Sequence, residues 1–575
     1  MSRIVGIDLG TSTSEISILS DGKPLIIPNT LGEMITPSVV GIGENGEWLV
    51  GQAAREQLLL RPQETVIEFK RLMGSPAEIK LGSNTYSPPE ISAVLLVYLI
   101  KCASAYLGQP IDRAVITVPA YFSDEQRRAT VEAGKLAGLH VERIINEPTA
   151  AALDYGIEHM QECKNILVYD LGGGTLDVTV LELFAGVLDV KASSGNNHLG
   201  GKDFDAALMD WLLERFHQQY GQDLSNDIRA MLRLKEAAEY CKIQLSTEPV
   251  HQIILPYIAE VNGKPVALEE TVSRDQFEEL IHEEIESTAS QIQLALQDAC
   301  LKPADIDLVL LVGGSTRIPY VRQYVAGTLG KKPQALVDPD LAVARGAAIQ
   351  AAIINKEFLD EKDILITDVC PYTLGLAVLG EIDGVPMPDI FDPIIPRNTT
   401  IPVIRDKIYG TVADGQTEVE IKVFQGDYKR ASRNNPLGRF SLSGIPPAPA
   451  FKEKVKVSFS YDVNGILQVS ATIISTGGNA DVQIETTGVT MNDETDLDRW
   501  VDLRGARKYR LLLKKAQKLL DRINIGDSAL ELDILVKDIK RGLIGGLPAE
   551  QLDEIKDRLQ ELLYDLNEVK DDSHD

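Results

Sequence analysis

The segment Ile7-Asp8-Leu9-Gly10-Thr11-Ser12-Thr13 has an echo far along the chain, Tyr169-Asp170-Leu171-Gly172-Gly173-Gly174-Thr175-Leu176-Asp177. Each copy lies between two apolar runs, within Arg3 to Ile18 and Asn165 to Leu183, so each reads as a β-hairpin with a glycine-rich turn. One Asp-x-Gly turn is an ordinary turn. Two of the same form in one chain predict a duplicated unit whose hairpins face each other. Such a pair can grip a polyphosphate with backbone N–H groups, while Asp8 and Asp170 offer carboxylates to hydrated Mg²⁺.

A third glycine element narrows the ligand. Leu310 to Pro319 reads as a strand (Asp307 to Val312), the glycine pair Gly313-Gly314, and a helix start with an early proline. Glycines let a backbone pass close to a flat ligand, and a helix N-terminus favours negative charge. In the helix around Leu234–Leu245, Glu239, Lys242 and Ser246 fall at i, i+3 and i+7 and share one face. Beside the glycine pair they form a candidate clamp for ribose and adenine.

The chain has 575 residues, enough for several domains. Up to about residue 360 strand and helix patterns alternate, with helices expected over Ser123–Ala137, Asp203–Tyr220, Asp227–Leu245 and Asp275–Cys300. The run Asp363-Ile-Leu-Ile-Thr-Asp368 then reads as a linker. From there to about Gly488, Val, Ile and Thr recur at period two, with turn signals at Asp414-Gly415, Asn464-Gly465 and Gly477-Gly478, the pattern of an antiparallel β domain. Beyond Asn492 apolar residues return to three- and four-residue spacing, as in Tyr509 to Ala516 and Gln551 to Val569, predicting helices. The net charge of −28 argues against nucleic-acid binding, which needs concentrated basic surface. The apolar stretch Ile91 to Ile100 is too short to span a bilayer, and no apolar leader opens the chain, so no membrane attachment is expected. Cys102, Cys163, Cys241, Cys300 and Cys370 form no Cys-x-x-Cys pair, and a reducing, cytoplasmic setting is expected.

The three glycine elements resemble those of the actin-like ATPase superfamily. Four further segments select a branch: Val118 to Asp124 (VPAYFSD), Ile145 to Ala152 (INEPTAAA), His198 to Asp205 (HLGGKDFD) and Arg233 to Glu239 (RLKEAAE). With them the chain resembles the seventy-kilodalton heat-shock chaperone family, in its bacterial DnaK-like form, to about residue 488. The resemblance implies a multidomain protein. An α/β actin-like (duplicated, ribonuclease-H-like) ATPase domain would span 1–360, an interdomain linker 361–370, a β-sandwich peptide-binding domain 371–488, and a shortened α-helical lid 489–575.

It also implies roles. Asp8, Asp170 and Asp177 would surround Mg²⁺, with K⁺ a second candidate cation. Lys70, in Glu68 to Gly74 (EFKRLMG), would reach the γ-phosphate of ATP, and Glu147, Asp170 and Thr175 would position metal-bound and attacking water. Gly10, Thr11, Ser12, Gly172, Gly173, Gly174, Thr175 and Gly201 would hold phosphates. Glu239, Lys242, Ser246, Gly313, Gly314, Ser315, Arg317 and Asp340 would hold the nucleoside. Pro119 and Arg127, with Ile364, Leu365 and Ile366 of the linker, would couple nucleotide to partner domain. Leu376, Val378, Leu379, Tyr409, Val419, Ile421 and Ile466 would line a cleft for an extended peptide.

The expected function is that of an ATP-dependent chaperone which binds and releases extended apolar segments of unfolded polypeptides, served by a J-domain co-chaperone and a nucleotide exchange factor. Burying one Leu contributes roughly 1.5–3 kcal/mol, and a backbone hydrogen bond about 0.5–1.5 kcal/mol net. Micromolar binding needs about 8 kcal/mol. One or two aliphatic pockets with several main-chain bonds therefore suffice without reading a defined sequence. The pattern departs from the family at Ser12-Thr13, where Thr-Asn is frequent, at Lys202, where an acid is common, and at Asp338, which replaces a usual Asn. The Ile-Leu-Ile linker and the short tail depart as well. These departures keep open a nucleotide-regulated scaffold, or a helper of another chaperone, with little hydrolysis; a small-molecule kinase on the same fold would need a sugar pocket in place of the β domain.

Overall fold

A computed structural model describes residues 3–334, 336–357, 365–382, 385–483 and 507–520, with scattered helical residues between 532 and 563. The chain divides into two compact units, Met1–Ile484 and Glu485–Asp575.

Two sheets in the first unit repeat one plan. The first holds β1 (Ile4–Leu9), β2 (Thr13–Ser20), β3 (Lys23–Ile26), β4 (Arg113–Val118) and β5 (His140–Asn146) in the order β5–β4–β1–β2–β3, with Thr36–Pro37 paired to β2. β1, β2 and β3 are an antiparallel meander, and β4 runs parallel to β1. In the second sheet β6 (Lys164–Leu171), β7 (Leu176–Phe184) and β8 (Val187–Asn196) form the matching meander, and β9 (Leu308–Val312) runs parallel to β6. The echo in the sequence is an echo in topology.

The helices that matter to the site are α1 (Asp124–Leu136), α2 (Glu147–Gly156), α3 (Gly201–Tyr220), α4 (Ile228–Leu245), α5 (Pro319–Leu329) and α6 (Ala342–Ile354). Ser123 starts α1 through a reciprocal capping box with Gln126. Helices α2 and α6 cross between the sheets on small residues. A Cβ on Gly346 would lie 1.7 Å from the Ala150 carbonyl oxygen, and one on Gly6 of β1 would lie 2.3 Å from the Ala348 nitrogen. Only glycine permits backbones this close. The stretch expected as one helix from Asp275 to Cys300 is three, Arg274–Leu280, His282–Ser287 and Ala289–Asp298. The Ser287 and Thr288 hydroxyls bond back to the Glu284 and Ile285 carbonyls there, competing with the helical ladder. Helix Pro88–Leu107 has the length and apolarity of a membrane span, longer than the apolar run suggested, yet its Ile91, Leu95, Leu96 and Leu99 are buried in the core beside β1 and β2.

The linker is a strand. β10 (Leu365–Ile366) adds in parallel to β8, pairing Val187 with Leu365 and Leu188 with Ile366; Ile364 lies outside the described residues. After it come two four-stranded antiparallel sheets: β12 (Val385–Ile395), β11 (Leu374–Ile382), β14 (Glu418–Gln425), β15 (Asn435–Ser443), and β13 (Val403–Gly410), β16 (Lys454–Tyr461), β17 (Leu467–Ile473), β18 (Asn479–Gln483), in those spatial orders. Leu374, Ile395, Val423, Phe459 and Val469 are in their common core. The foreseen turns carry Gly415, Gly465 and Gly477 at φ 70°, 69° and 72°, where a side chain would strain the backbone.

This sandwich is docked on the α/β half, which is why the first unit runs to Ile484 and does not divide near residue 360. Asp368 accepts from Asn146 Nδ2 (2.8 Å) and Thr149 Oγ1 (3.2 Å). The Leu467 amide donates to Asp124 Oδ1 (2.7 Å), and the Ile144 amide to Asn464 Oδ1 (2.9 Å). Arg397 and Asn398 reach Asp298 at 2.9 and 2.8 Å. These polar contacts are joined at the seam by Val369, which is buried in the apolar cluster of the α/β half. In the second unit α7 (Arg507–Leu520) packs Tyr509, Leu513 and Ala516 into a cluster with Leu535, Ile539 and Leu559, the spacing the sequence implied.

Gly346→Ala should lower stability by about 3 kcal/mol through overpacking at the α2–α6 crossing, read from the thermal or denaturant midpoint; an unchanged midpoint would show that the helices do not need this contact.

Candidate functional site

A cleft of about 630 Å³ opens between the two sheets. Its floor is the pair of hairpin turns, and they face each other. A Cβ on Gly173 would fall 2.2 Å from Ser12 Oγ, and one on Gly174 would fall 3.1 Å from Thr11 Oγ1. At the start of α3 a Cβ on Gly200 would meet Gly174 N at 2.5 Å, and one on Gly201 would meet Ser315 Oγ at 2.6 Å. Three glycine elements thus converge on one point with no room for side chains, leaving backbone amides as the lining.

Charge is concentrated where the hairpins meet. Asp8 ends β1 and accepts from Thr117 Oγ1 (2.7 Å), while Asp170 and Asp177 sit opposite each other across the β6–β7 pair. Asp177 Oδ1 accepts from the Tyr121 amide at 3.1 Å. The cation among them is Lys70, buried and paired with Glu147 Oε1 at 2.7 Å. One lysine does not neutralise four carboxylates. Burial, followed by repulsion from Glu147, raises Asp8 and Asp177 from 3.8 to about 7, and the same causes push Asp170 well above its usual range. Asp170 Oδ2 and Asp177 Oδ2 are buried without a hydrogen-bond partner. Orphaned, mutually repelling carboxylate oxygens fit a hydrated divalent cation, which would supply the missing positive charge and donors.

At the other end Glu239, Lys242 and Ser246 line the wall from α4, and Gly313, Gly314, Ser315, Arg317 and Asp340 line the facing wall. Ser315 Oγ donates to the Gly172 carbonyl (2.8 Å), tying this wall to the second hairpin. Arg317 is held by Asp340 (2.5 Å) and Asp338 (3.1 Å), so the acid at the unusual position 338 has an ion-pair role. Lys202, the other departure, sits among Glu239 (3.0 Å), Asp205 (3.8 Å) and Glu68 (4.0 Å). Burial works against the charge on Glu239, yet Lys202 and Arg55 prevail and lower it to about 2.

Of the residues expected here, Asp8, Gly10, Thr11, Ser12, Lys70, Glu147, Asp170, Gly172, Gly173 and Thr175 line the cleft directly. Asp177, Gly174 and Gly201 stand just behind that surface. Pro119 belongs to the loop that bonds Asp177, and Arg127 anchors it through the Ala120 carbonyl (3.0 Å) and Asn146 (2.7 Å). The sequence reading missed Glu15, buried in the cleft wall in register with Asp8, and Arg71, which reaches Asp203 (2.9 Å) and the Gly174 carbonyl (3.3 Å). An acid inside the apolar strand Thr13–Ser20 was the available signal for the first; nothing local marked the second.

Of the seven residues expected to line a peptide cleft, five gather in one cluster of the sandwich: Leu376 and Ile421 are buried in its core, with Val378, Tyr409 and Val419 packed against it. Leu379 is 47% exposed. Ile466 lies in the Asp462–Leu467 turn, its amide bonded to Asp462 Oδ1, while its neighbours Asn464 and Leu467 bond the α/β half.

A statistical model of the family described as Hsp70 protein matches residues 4–81 and 76–573. The chain belongs to the Hsp70 family. It is 45% identical over 567 residues to the chaperone protein DnaK of Thermotoga neapolitana, covering 98% of this chain and 93% of the relative. It is 45% identical over 569 residues to that of Thermosipho melanesiensis, covering 98% and 92%. As an Hsp70 protein it is an ATP-dependent chaperone whose ATPase binds ATP and ADP with Mg²⁺.

Because Asp8 and Asp177 bind protons more tightly folded than unfolded, folding without ligand is favoured at low pH and loses that advantage as pH rises from about 4 to about 7. The melting temperature of nucleotide-free protein should fall over that window, and Asp177→Asn should flatten the fall; equal slopes in both proteins would contradict the assigned electrostatics.

Proposed function

We propose that this Hsp70 protein hydrolyses ATP between the two hairpins, with Lys70, Glu147, Asp170 and Thr175 as the reacting set, and passes the nucleotide state to the β sandwich through the linker strand. The supporting observation is the buried Lys70–Glu147 pair among Asp8, Asp170 and Asp177, floored by opposed glycine turns. Phosphoryl transfer to water needs orientation and charge neutralisation more than covalent help. Lys70 supplies a fixed positive charge for the terminal phosphate, and Glu147 holds the ammonium in place. The Thr175 hydroxyl and the Asp170 carboxylate orient water. Asp8, Asp170 and Asp177 would hold hydrated Mg²⁺, which supplies charge neutralisation of the phosphates when bound, and K⁺ is a second cation suited to the same carboxylates. The glycine-lined wall of Gly313–Ser315 and the Glu239–Lys242–Ser246 face bind ribose and adenine.

The domain division we infer is 1–360 for the ATPase, 361–370 for the linker, 371–488 for the peptide-binding sandwich and 489–575 for a short lid. Leu376, Val378, Leu379, Tyr409, Val419, Ile421 and Ile466 are the residues we assign to the peptide cleft. Extended apolar polypeptide is the ligand, bound with broad selectivity; a J-domain protein and a nucleotide exchange factor are the expected partners, and the cytoplasm the expected compartment. The complete set of charged groups at the phosphate end favours an active ATPase over a scaffold that barely hydrolyses.

Lys70→Ala should slow single-turnover hydrolysis by about 100-fold, the scale of losing one preorganised charge, while nucleotide affinity changes far less; an unaltered rate would remove Lys70 from the reaction. Leu365→Asp should break the β8–β10 pairing and abolish stimulation of hydrolysis by an apolar peptide, with basal turnover retained; undiminished stimulation would show that the linker strand carries no signal.

A further inference from the structure

The loop Pro119–Phe122 touches the ATPase chemistry on one side and the β sandwich on the other. On the inner side, Asp177 Oδ1 accepts from the Tyr121 amide at 3.1 Å. On the outer side, the Tyr121 carbonyl accepts twice, from Asn197 Nδ2 at 2.7 Å and from the Tyr372 hydroxyl at 2.6 Å. Tyr372 lies between Asp368 and β11, on the sandwich side of the linker, and its ring packs on that of Tyr121 with centroids 4.5 Å apart at 53°. Burial raises the Tyr372 phenol well above its usual range, so it is protonated and donates.

Tyr121 is therefore clamped through two successive peptide units. Asp177 holds its N–H, in the Ala120–Tyr121 unit, while Asn197 and Tyr372 hold its C=O, in the Tyr121–Phe122 unit. A carbonyl oxygen has two lone pairs, and here both are used. A Cβ on Gly195 would lie 2.9 Å from Asp177 Oδ1 and 3.1 Å from Tyr121 Cβ, so Asp177 and the loop are packed without slack and a shift in one moves the other.

We propose that Tyr372 is a positioning residue of the ATPase: its hydroxyl, delivered only when the sandwich is docked, fixes the backbone of Tyr121 and through it Asp177. This rests on the ATPase reading above and adds an arm distinct from Arg127, which anchors the same loop through Ala120. When the sandwich leaves, the Asn197 bond stays and the Tyr372 bond is lost, so the carbonyl reports docking directly to a carboxylate of the cation site.

The test uses the full chain with Tyr372→Phe, which keeps the ring stack and removes the hydroxyl, and with Asn197→Ala, which removes the bond made from within the ATPase half. Steady-state and single-turnover hydrolysis are measured with and without a synthetic leucine-rich peptide. Tyr372→Phe should reduce the peptide-stimulated ratio by about fivefold, the factor one net hydrogen bond carries, with KM for ATP and melting temperature unchanged; Asn197→Ala should alter the basal rate and keep the ratio. A wild-type ratio in Tyr372→Phe, or equal loss in both variants, overturns the proposal. The wild-type basal rate, measured alongside, reports separately on the ATPase reading.

Discussion

Everything in this molecule is arranged around a charge imbalance that the fold buries on purpose. Asp8, Asp170, Asp177 and Glu147 surround a single ammonium, that of Lys70, in a place where water is largely excluded. Like charges at low dielectric repel strongly, and the raised proton affinities of Asp8 and Asp177 express that repulsion. A site with this deficit gains most from a ligand that brings its own cation, which is why a nucleotide chelating a divalent metal suits it better than a neutral substrate.

Holding such a site together takes rigid surroundings, and close backbone packing provides them. Gly6 under α6 and Gly346 against α2 place main chain on main chain with no side chain between, and Gly173 packs directly on the Ser12 side chain. Asp8, Asp170 and Asp177 are thus carried on strand ends that have little freedom to relax apart. The two halves of the cleft come from the two copies of the strand plan and are joined by the α2–α6 crossing.

The sandwich is attached by different means. Asp368 to Asn146, Asp124 to Leu467 and Asp298 to Arg397 are polar and directional, and the two-residue strand Leu365–Ile366 pairs with β8. The Tyr121–Tyr372 ring contact and the buried Val369 add apolar contact at the same seam. Each such hydrogen bond contributes about 1 kcal/mol, so the attachment differs in kind from the continuous apolar core inside each half.

Much of the ATPase half was legible in the residues. The repeated Asp-Leu-Gly motif fixes two identical hairpins because glycine turns and apolar alternation are local properties, and local properties survive into the fold. The shared helical face of Glu239, Lys242 and Ser246 was legible for the same reason, whereas Lys70 and Glu147 were named through the family resemblance. Glu15 and Arg71 could not be named, since their roles depend on which strand or loop faces them. The peptide-site residues show the limit most plainly. The family resemblance named Leu376, Ile421 and Ile466, and period-two alternation by itself does not separate a core-facing from a cleft-facing position, because which face is covered is set by long-range packing. The sequence determined the elements, the repeated plan and an apolar linker able to add as a strand; tertiary structure alone decided that this strand pairs with β8, that the turn carrying Asn464 and Leu467 meets the α/β half, and that Tyr372 and Asp177 both bond the backbone of Tyr121, because each depends on segments far apart in the chain meeting in space.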